Sequence, residues 1–384
     1  MERRKDNKGR VLHTGECQRK DGTYTYKYKD VRGKWHSTSA PTLERLREKE
    51  RIIEQTISHG IDYSSKKITI LDAVKRHVEV KSRTIKSSSL KNYNNLIHML
   101  EREDFAYKNV RDINATNAQL WLSDMQAEGY AYDTIGDVKT IVCAAFKRLC
   151  NDKFLLFNPF DFKLNEAIRN TSKKRQALTP KQQEQLLEFL LNDNIGLKYY
   201  DEVIVLLWTG MRASEFCGLT VKDIDFENGF VHVRRQLKKE HGIYTVEETK
   251  TESGNRSIPM IGSAYDSLRR IVAQRKKQPA IFHVGEHSQF LFLTNRNIPK
   301  TGQQLHDDLK RIVERHNKQY PNNPLPKITP HILRHTFCTN MAANNIAPTA
   351  IQYMMGHASY KTTADVYTHP DAEFAMQEMK KLQA

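Results

Sequence analysis

Apolar positions follow two periods along the chain and divide it into three segments. Near the start, Tyr24, Tyr26 and Tyr28 alternate with Thr25 and Lys27. That period of two predicts a strand with unlike faces. Asp21-Gly22 and Arg32-Gly33 mark turns on either side, so a small three-stranded antiparallel sheet is expected. From Thr42 to Ser58 the period lengthens to that of an amphipathic helix, with Leu43, Leu46, Ile52, Ile53 and Ile57 assigned to its apolar side. Residues 1–66 thus form a small sheet-plus-helix unit, whose tyrosines and lysines face either water or the groove of a polyanion.

Residues 67–170 show helical periodicity throughout. Leu90, Tyr93, Ile97 and Leu100 share one face behind a serine cap. Asn114 or Thr116 starts the next helix, which carries Trp121 and Met125 and stops at Gly129. Tyr132, Ile135, Val138, Val142, Phe146 and Leu149 then make another stripe, ended by Asn158-Pro159. A four-helix bundle is the simplest packing, and its residues suggest binding or scaffolding, not catalysis. After the basic linker NTSKKRQ, Thr179-Pro180-Lys181-Gln182 is a capping box with proline at the first helical position. It opens a third segment, residues 177–384, mostly helical with a strand-rich interruption in which Ser253-Gly254-Asn255 is expected to turn a hairpin. The fold class is mainly α with small antiparallel sheets (α+β).

Charge narrows the function. Lysine and arginine number 61 against 45 acids, a net +16 spread over 384 residues, which favours a nucleic-acid partner. No apolar run approaches the ~18 residues of a membrane span, and the first ten residues lack the apolar stretch of a secretory signal. The five cysteines (Cys17, Cys143, Cys150, Cys217, Cys338) include no CxxC pair, as expected of reduced thiols in a cytoplasmic protein.

Four stretches of the third segment hold polar residues suited to chemistry: LLWTGMRASEFCGLT with Arg212, TKTESGNRSIP with Lys250, ITPHILRHTFCTNM with His331 and Arg334, and GHASYKTTADVYTH with His357 and Tyr367. His331 and His335 have the spacing of a zinc pair. Arg334 lies between them and the glutamate of HExxH is missing, so a metal site is not expected. Taken together, two arginines, two histidines, a lysine and a tyrosine with few acids nearby suit a phosphodiester without metal. The arginines offset charge that builds on the non-bridging oxygens, and histidine exchanges protons near neutral pH. Tyrosine attacks once a base or a cationic field activates it. No clustered carboxylates point to two-metal nuclease chemistry.

TGMRASEFCGL, the lysine of TKTESGNRSIP, HILRHTF and MGHASYKTTADVYTH, in this order, resemble the signature of the tyrosine recombinases. The likeness extends over essentially the whole chain. It is nearest to the integrases of Gram-positive conjugative transposons and more distant to lambda integrase. The resemblance implies an arm-type DNA-binding domain over 1–66, a core-type DNA-binding domain over 67–170 and a tyrosine recombinase catalytic domain over 177–384. It implies that Arg212 and Arg334 clamp the scissile phosphate and that Lys250 protonates the departing 5′ oxygen. His331 would assist proton transfer, His357 would hydrogen-bond the phosphate, and Tyr367 would be the nucleophile that forms a 3′-phosphotyrosyl link. Glu215 would orient Arg212, while Tyr353 and Tyr360 would pack or contact backbone. No cofactor is implied. The implied partners are double-stranded DNA at arm-type and core-type sites, further copies of the chain in a tetramer and an accessory excision factor, acting at the bacterial nucleoid and not at a membrane. A type IB topoisomerase and a catalytically silent DNA-binding protein are the alternative readings.

Overall fold

The computed structural model describes residues 4–30, 33–58, 67–85, 87–172, 176–249, 252–278 and 282–356. The chain divides into two compact units, Met1–Lys173 and Lys174–Ala384. Among the described residues, no helix is long and apolar enough to cross a membrane.

The first unit holds two separate hydrophobic clusters. One belongs to an antiparallel sheet in the order β1 (Glu16–Gln18), β2 (Tyr24–Lys29), β3 (Trp35–Ala40), with Tyr26 opposite Thr38 in the register. Helix α1 (Leu43–Ser58) follows it. Tyr24, Tyr26 and Tyr28 are the buried face, packed with Leu43, Leu46 and Ile53. Their hydroxyls find partners: that of Tyr24 donates to Asp6 at 2.9 Å, and that of Tyr26 to Glu54 at 3.2 Å. The tyrosines are therefore not a solvated face. Lys27, Lys29 and Trp35 are exposed instead, with the Lys29 ammonium 5.0 Å from the Trp35 ring centroid. Ile52 also departs from expectation and is exposed. At 100° per residue, the stripe through Leu43, Leu46 and Ile53 passes through position 50, and the residue buried there is Glu50.

The other cluster gathers α2 (Ile70–Ser82), α3 (Ser87–Leu100), α4 (Ala115–Ala127) and α5 (Tyr132–Asn151). Thr69 and Asp72 form a capping box on α2, and Asn114 forms one with Asn117 on α4. Trp121 stacks on Phe105 at 4.7 Å and meets Phe160 edge-on.

In the second unit α6 (Pro180–Asn192) begins at the Thr179 capping box with Pro180 first. Next come α7 (Leu197–Thr209) and the short α8 (Ala213–Cys217). The strands are β4 (Ile224–Asp225), β5 (Phe230–Val233), β6 (Arg235–Glu240), β7 (Ile243–Glu248) and β8 (Arg256–Pro259). Four helices complete the unit: α9 (Ser263–Lys276), α10 (Gly302–Gln319), α11 (Pro330–Ala343) and α12 (Pro348–Met355). The core runs through Leu186, Leu206, Met211, Phe216, Phe292 and Leu309, with the Phe216 and Phe292 rings stacked at 3.6 Å. Each such buried side chain contributes roughly 1.5–3 kcal/mol of transfer free energy. Lys300 ties α7 to α10, with its ammonium 2.8 Å from Glu202 and 3.0 Å from Asp308.

The strand pairing corrects one expectation. β6 pairs with β7, and their hairpin turns at His241-Gly242, both at positive φ. Ser253 and Gly254 lie instead in a 3-10 turn over Glu252–Gly254, between β7 and β8, which pair with different partners. β8 lies antiparallel to β5, with Val231 opposite Ile258. Serine-glycine signals a turn, but only long-range pairing decides whether the flanking strands meet.

Candidate active site

Two glycines set the backbone of the site. Gly210 caps α7 in the left-handed region at φ 60°, and a Cβ there would lie 2.3 Å from the Phe337 ring. Only glycine fits, so the helix stops and the chain turns into α8 with Arg212 at its N-cap. Glu215, buried one turn later, accepts from the Arg212 backbone N–H at 3.0 Å and from its guanidinium Nη1 at 2.6 Å. The Arg212 side chain stays 41% exposed, and its Nη2 donates to the Gly356 carbonyl at 2.8 Å.

Thr329 caps α11, with Pro330 at the first position. One turn in, Arg334 is 5% exposed and donates to the Gly210 carbonyl at 2.6 Å and the Met355 carbonyl at 2.5 Å. Both partners are neutral oxygens. Burial, with Arg212 and Arg256 close by, pushes the Arg334 guanidinium down to about 9 against the opposing pull of Glu215. It remains a cation at neutral pH, in surroundings with more positive than negative charge, where an anion is favoured. His331 is exposed on the first turn of α11. It lines an open cleft of about 570 Å³ with Ala213, Gly302, His306 and Lys327. α10 and α11 both begin there, each with a threonine N-cap, so the positive ends of two helix dipoles join the basic side chains.

A third arginine completes the cluster and was not singled out from the sequence. The Arg256 side chain is wholly buried, with Nη2 2.8 Å from Glu215 Oε2. Its Nε donates to the Met354 carbonyl at 2.6 Å, and its Nη1 to the Gly254 carbonyl at 3.0 Å. Three consecutive carbonyls at the end of α12, those of Met354, Met355 and Gly356, thus accept from Arg256, Arg334 and Arg212. Such carbonyls lack helical partners and carry the negative end of the dipole, so guanidinium groups suit them. A signal for Arg256 did exist: it shares the buried face of β8 with Ile258, where an arginine needs a dedicated acceptor. Burial works to raise the Glu215 carboxyl, but the Arg256 hydrogen bond and charge, with those of Arg212, outweigh it and hold the group below the usual carboxylate range.

Gly356 closes α12 at φ 61°, and a Cβ on it would lie 2.9 Å from both Arg256 Nη1 and the Ser253 carbonyl. Tyr353, on the same helix, accepts from the Ser257 backbone N–H at 3.2 Å, a backbone contact of the kind expected for it. Of the six residues named from the sequence, Arg212 and Arg334 are brought together and His331 borders the adjoining cleft. Lys250, His357 and Tyr367 lie outside the described residues, as does Tyr360.

Comparison with known proteins places the chain. Over 99% of its length it is 38% identical to the transposase from transposon Tn916 of Enterococcus faecalis, covering 97% of that protein. The transposase from transposon Tn1545 of Streptococcus agalactiae matches with the same identity and coverage. The Tn1549 transposon integrase, solved in complex with transposon right end DNA, superposes with a TM-score of 0.77 at 34% identity, over 83% of this chain and 100% of that one. Residues 1–57 match the DNA binding domain of the Tn916 integrase. Residues 176–373, just over half of the 384, match the phage integrase family, and the chain belongs to that family, the tyrosine recombinases.

Proposed function

We propose that the chain is the site-specific DNA recombinase of a mobile element, cutting and rejoining DNA through a 3′-phosphotyrosyl intermediate. The observation that carries the reading is the convergence of Arg212 and Arg334 on adjacent carbonyls at the end of α12, from which the chain runs toward Tyr367. The Arg212 side chain stays partly exposed, and the two carbonyl bonds of Arg334 use two of its five donors. Together they offset the charge that grows on the non-bridging oxygens in the transition state.

The Tyr367 oxygen attacks the scissile phosphorus, forming the phosphotyrosyl bond as the bond to the 5′ oxygen breaks. His331 accepts the tyrosyl proton, Lys250 delivers a proton to the departing 5′ oxygen, and His357 hydrogen-bonds the phosphate. One phosphodiester is exchanged for another, so a 5′ hydroxyl from a second duplex can reverse the attack through a Holliday junction without ATP. Water in place of that hydroxyl would make the break permanent, which strand exchange cannot tolerate.

Residues 1–66 read arm-type sites through the exposed lysine face of the sheet, where Lys27, Lys29 and Trp35 support the reading. Residues 67–170 and 177–384 grip the crossover site, four copies assemble on DNA, and an accessory factor directs excision at the cytoplasmic nucleoid. The test uses a nicked duplex carrying the joined ends of the element that encodes the chain. The wild type should become covalently attached, and Tyr367→Phe should bind without attachment. An adduct on the Phe variant would remove Tyr367 from the mechanism, and none on the wild type would leave a binding protein.

A further inference from the structure

We infer that Arg256 is a positioning residue for DNA cleavage: it shares the charge of Glu215 and anchors the end of α12, so that Arg212 faces the phosphate. This rests on the recombinase reading above. A buried ion pair is weak evidence of a stabilising role, because well-packed apolar residues often serve as well. The arrangement therefore calls for a geometric explanation. One guanidinium joins three segments remote in sequence: Glu215 of α8, Gly254 in the turn beyond Lys250, and Met354 at the end of α12. Gly356 packs against the same guanidinium at a spacing no side chain would allow.

Competition for Glu215 supplies the link to chemistry. Its Oε1 takes Arg212 Nη1, while its Oε2 is divided between Arg256 Nη2 and the Arg212 backbone N–H. Remove Arg256 and a buried carboxylate keeps Arg212 as its one guanidinium partner. Arg212 is then held by Glu215 and offers less charge to the phosphate. The Met354 carbonyl loses its donor as well, which loosens the carbonyl run that seats Arg212 and Arg334. Lysine at the position keeps the charge but not the fork of donors, so it restores function in part.

The experiment compares full-length wild type, Arg256→Met and Arg256→Lys on the nicked joined-end duplex, measuring DNA affinity and the first-order rate of covalent attachment at saturating DNA. Arg256→Met should slow attachment on the order of 100-fold, as expected when a transition-state donor is misplaced, with affinity nearly unchanged. Arg256→Lys should fall between. A duplex with a neutral methylphosphonate at the scissile position needs less cationic charge, so the gap between wild type and Arg256→Met should narrow at least tenfold there. An unnarrowed gap, an attachment rate for Arg256→Met close to wild type, or affinity lost in step with rate for Arg256→Lys would each overturn the inference. If Arg256→Met does not fold, the methylphosphonate comparison is made with Arg256→Lys. A wild type that never attaches overturns the recombinase reading itself, a separate outcome.

Discussion

Glu215→Gln is the sharpest test of the charge arrangement, because the substitution preserves shape and removes one negative charge. Glu215 is 3% exposed and receives three hydrogen bonds: the Arg212 N–H at 3.0 Å, Arg212 Nη1 at 2.6 Å and Arg256 Nη2 at 2.8 Å. A glutamine offers one acceptor oxygen and turns an NH₂ toward one of the guanidiniums. Arg256, whose side chain has no exposure, would be left without a counter-charge. Breaking a buried pair on one side costs about 3–5 kcal/mol, a large part of the roughly 5–15 kcal/mol that stabilises a domain. At about 2–4 °C per kcal/mol for a unit of this size, melting at pH 7 should drop by roughly 10 °C. Hydrogen exchange over 203–219 would assign the loss to the second unit.

The pH dependence follows from the depressed Glu215 carboxyl. Burial raises it, yet the hydrogen bond from Arg256 and the charges of Arg256 and Arg212 pull it lower still. A folded pKa below the unfolded one contributes stability that is present above the unfolded value and is lost as pH falls through the folded value. The wild type should therefore outlast Glu215→Gln at pH 7, and the difference should shrink on acidification below the ordinary carboxylate range. A Gln variant that melts within 2 °C of wild type at pH 7, or a difference that persists unchanged in acid, would refute this account of the three arginines.

Two other substitutions probe separate parts of the fold. Gly356→Ala adds a Cβ at φ 61° only 2.9 Å from Arg256 Nη1 and the Ser253 carbonyl, whereas Gly242→Ala at φ 85° meets nothing within 4 Å. Both pay about 1–2 kcal/mol of left-handed strain, but denaturant melts should show Gly356→Ala to be clearly the worse, and equal losses would deny the close packing. In the sheet unit, burial and the neighbouring Glu16 push the Glu50 carboxyl up to about 7. Its folded pKa lies above the unfolded value, so its contribution is fully present below about 4.5 and is lost as pH rises through 7. Glu50→Gln should slow hydrogen exchange across β1, β2 and α1 at pH 8 relative to wild type, and an unchanged rate would mean that Glu50 ionises without penalty.

Much of this protein was legible in the sequence because the signals are local. The Thr179 cap, the proline after it and the Asn114 cap each depend on a few neighbouring residues, and each appears where its chemistry places it. The motifs around Arg212, His331 and Arg334 could be read for the same reason, since each is a short string at a helix start. What tertiary structure alone decided involves partners far apart in the chain. Alternation showed that Tyr24, Tyr26 and Tyr28 share a face, but only the packing of α1 made that face the buried one. The turn at Ser253 was visible, yet the choice of β5 over β7 as partner for β8 depended on pairing across the domain. Arg256 shows the limit most clearly. Alternation with Ile258 could mark it as facing inward, but its acceptors on Glu215 and Met354 lie 41 and 98 residues away, so only the folded chain decided what it holds.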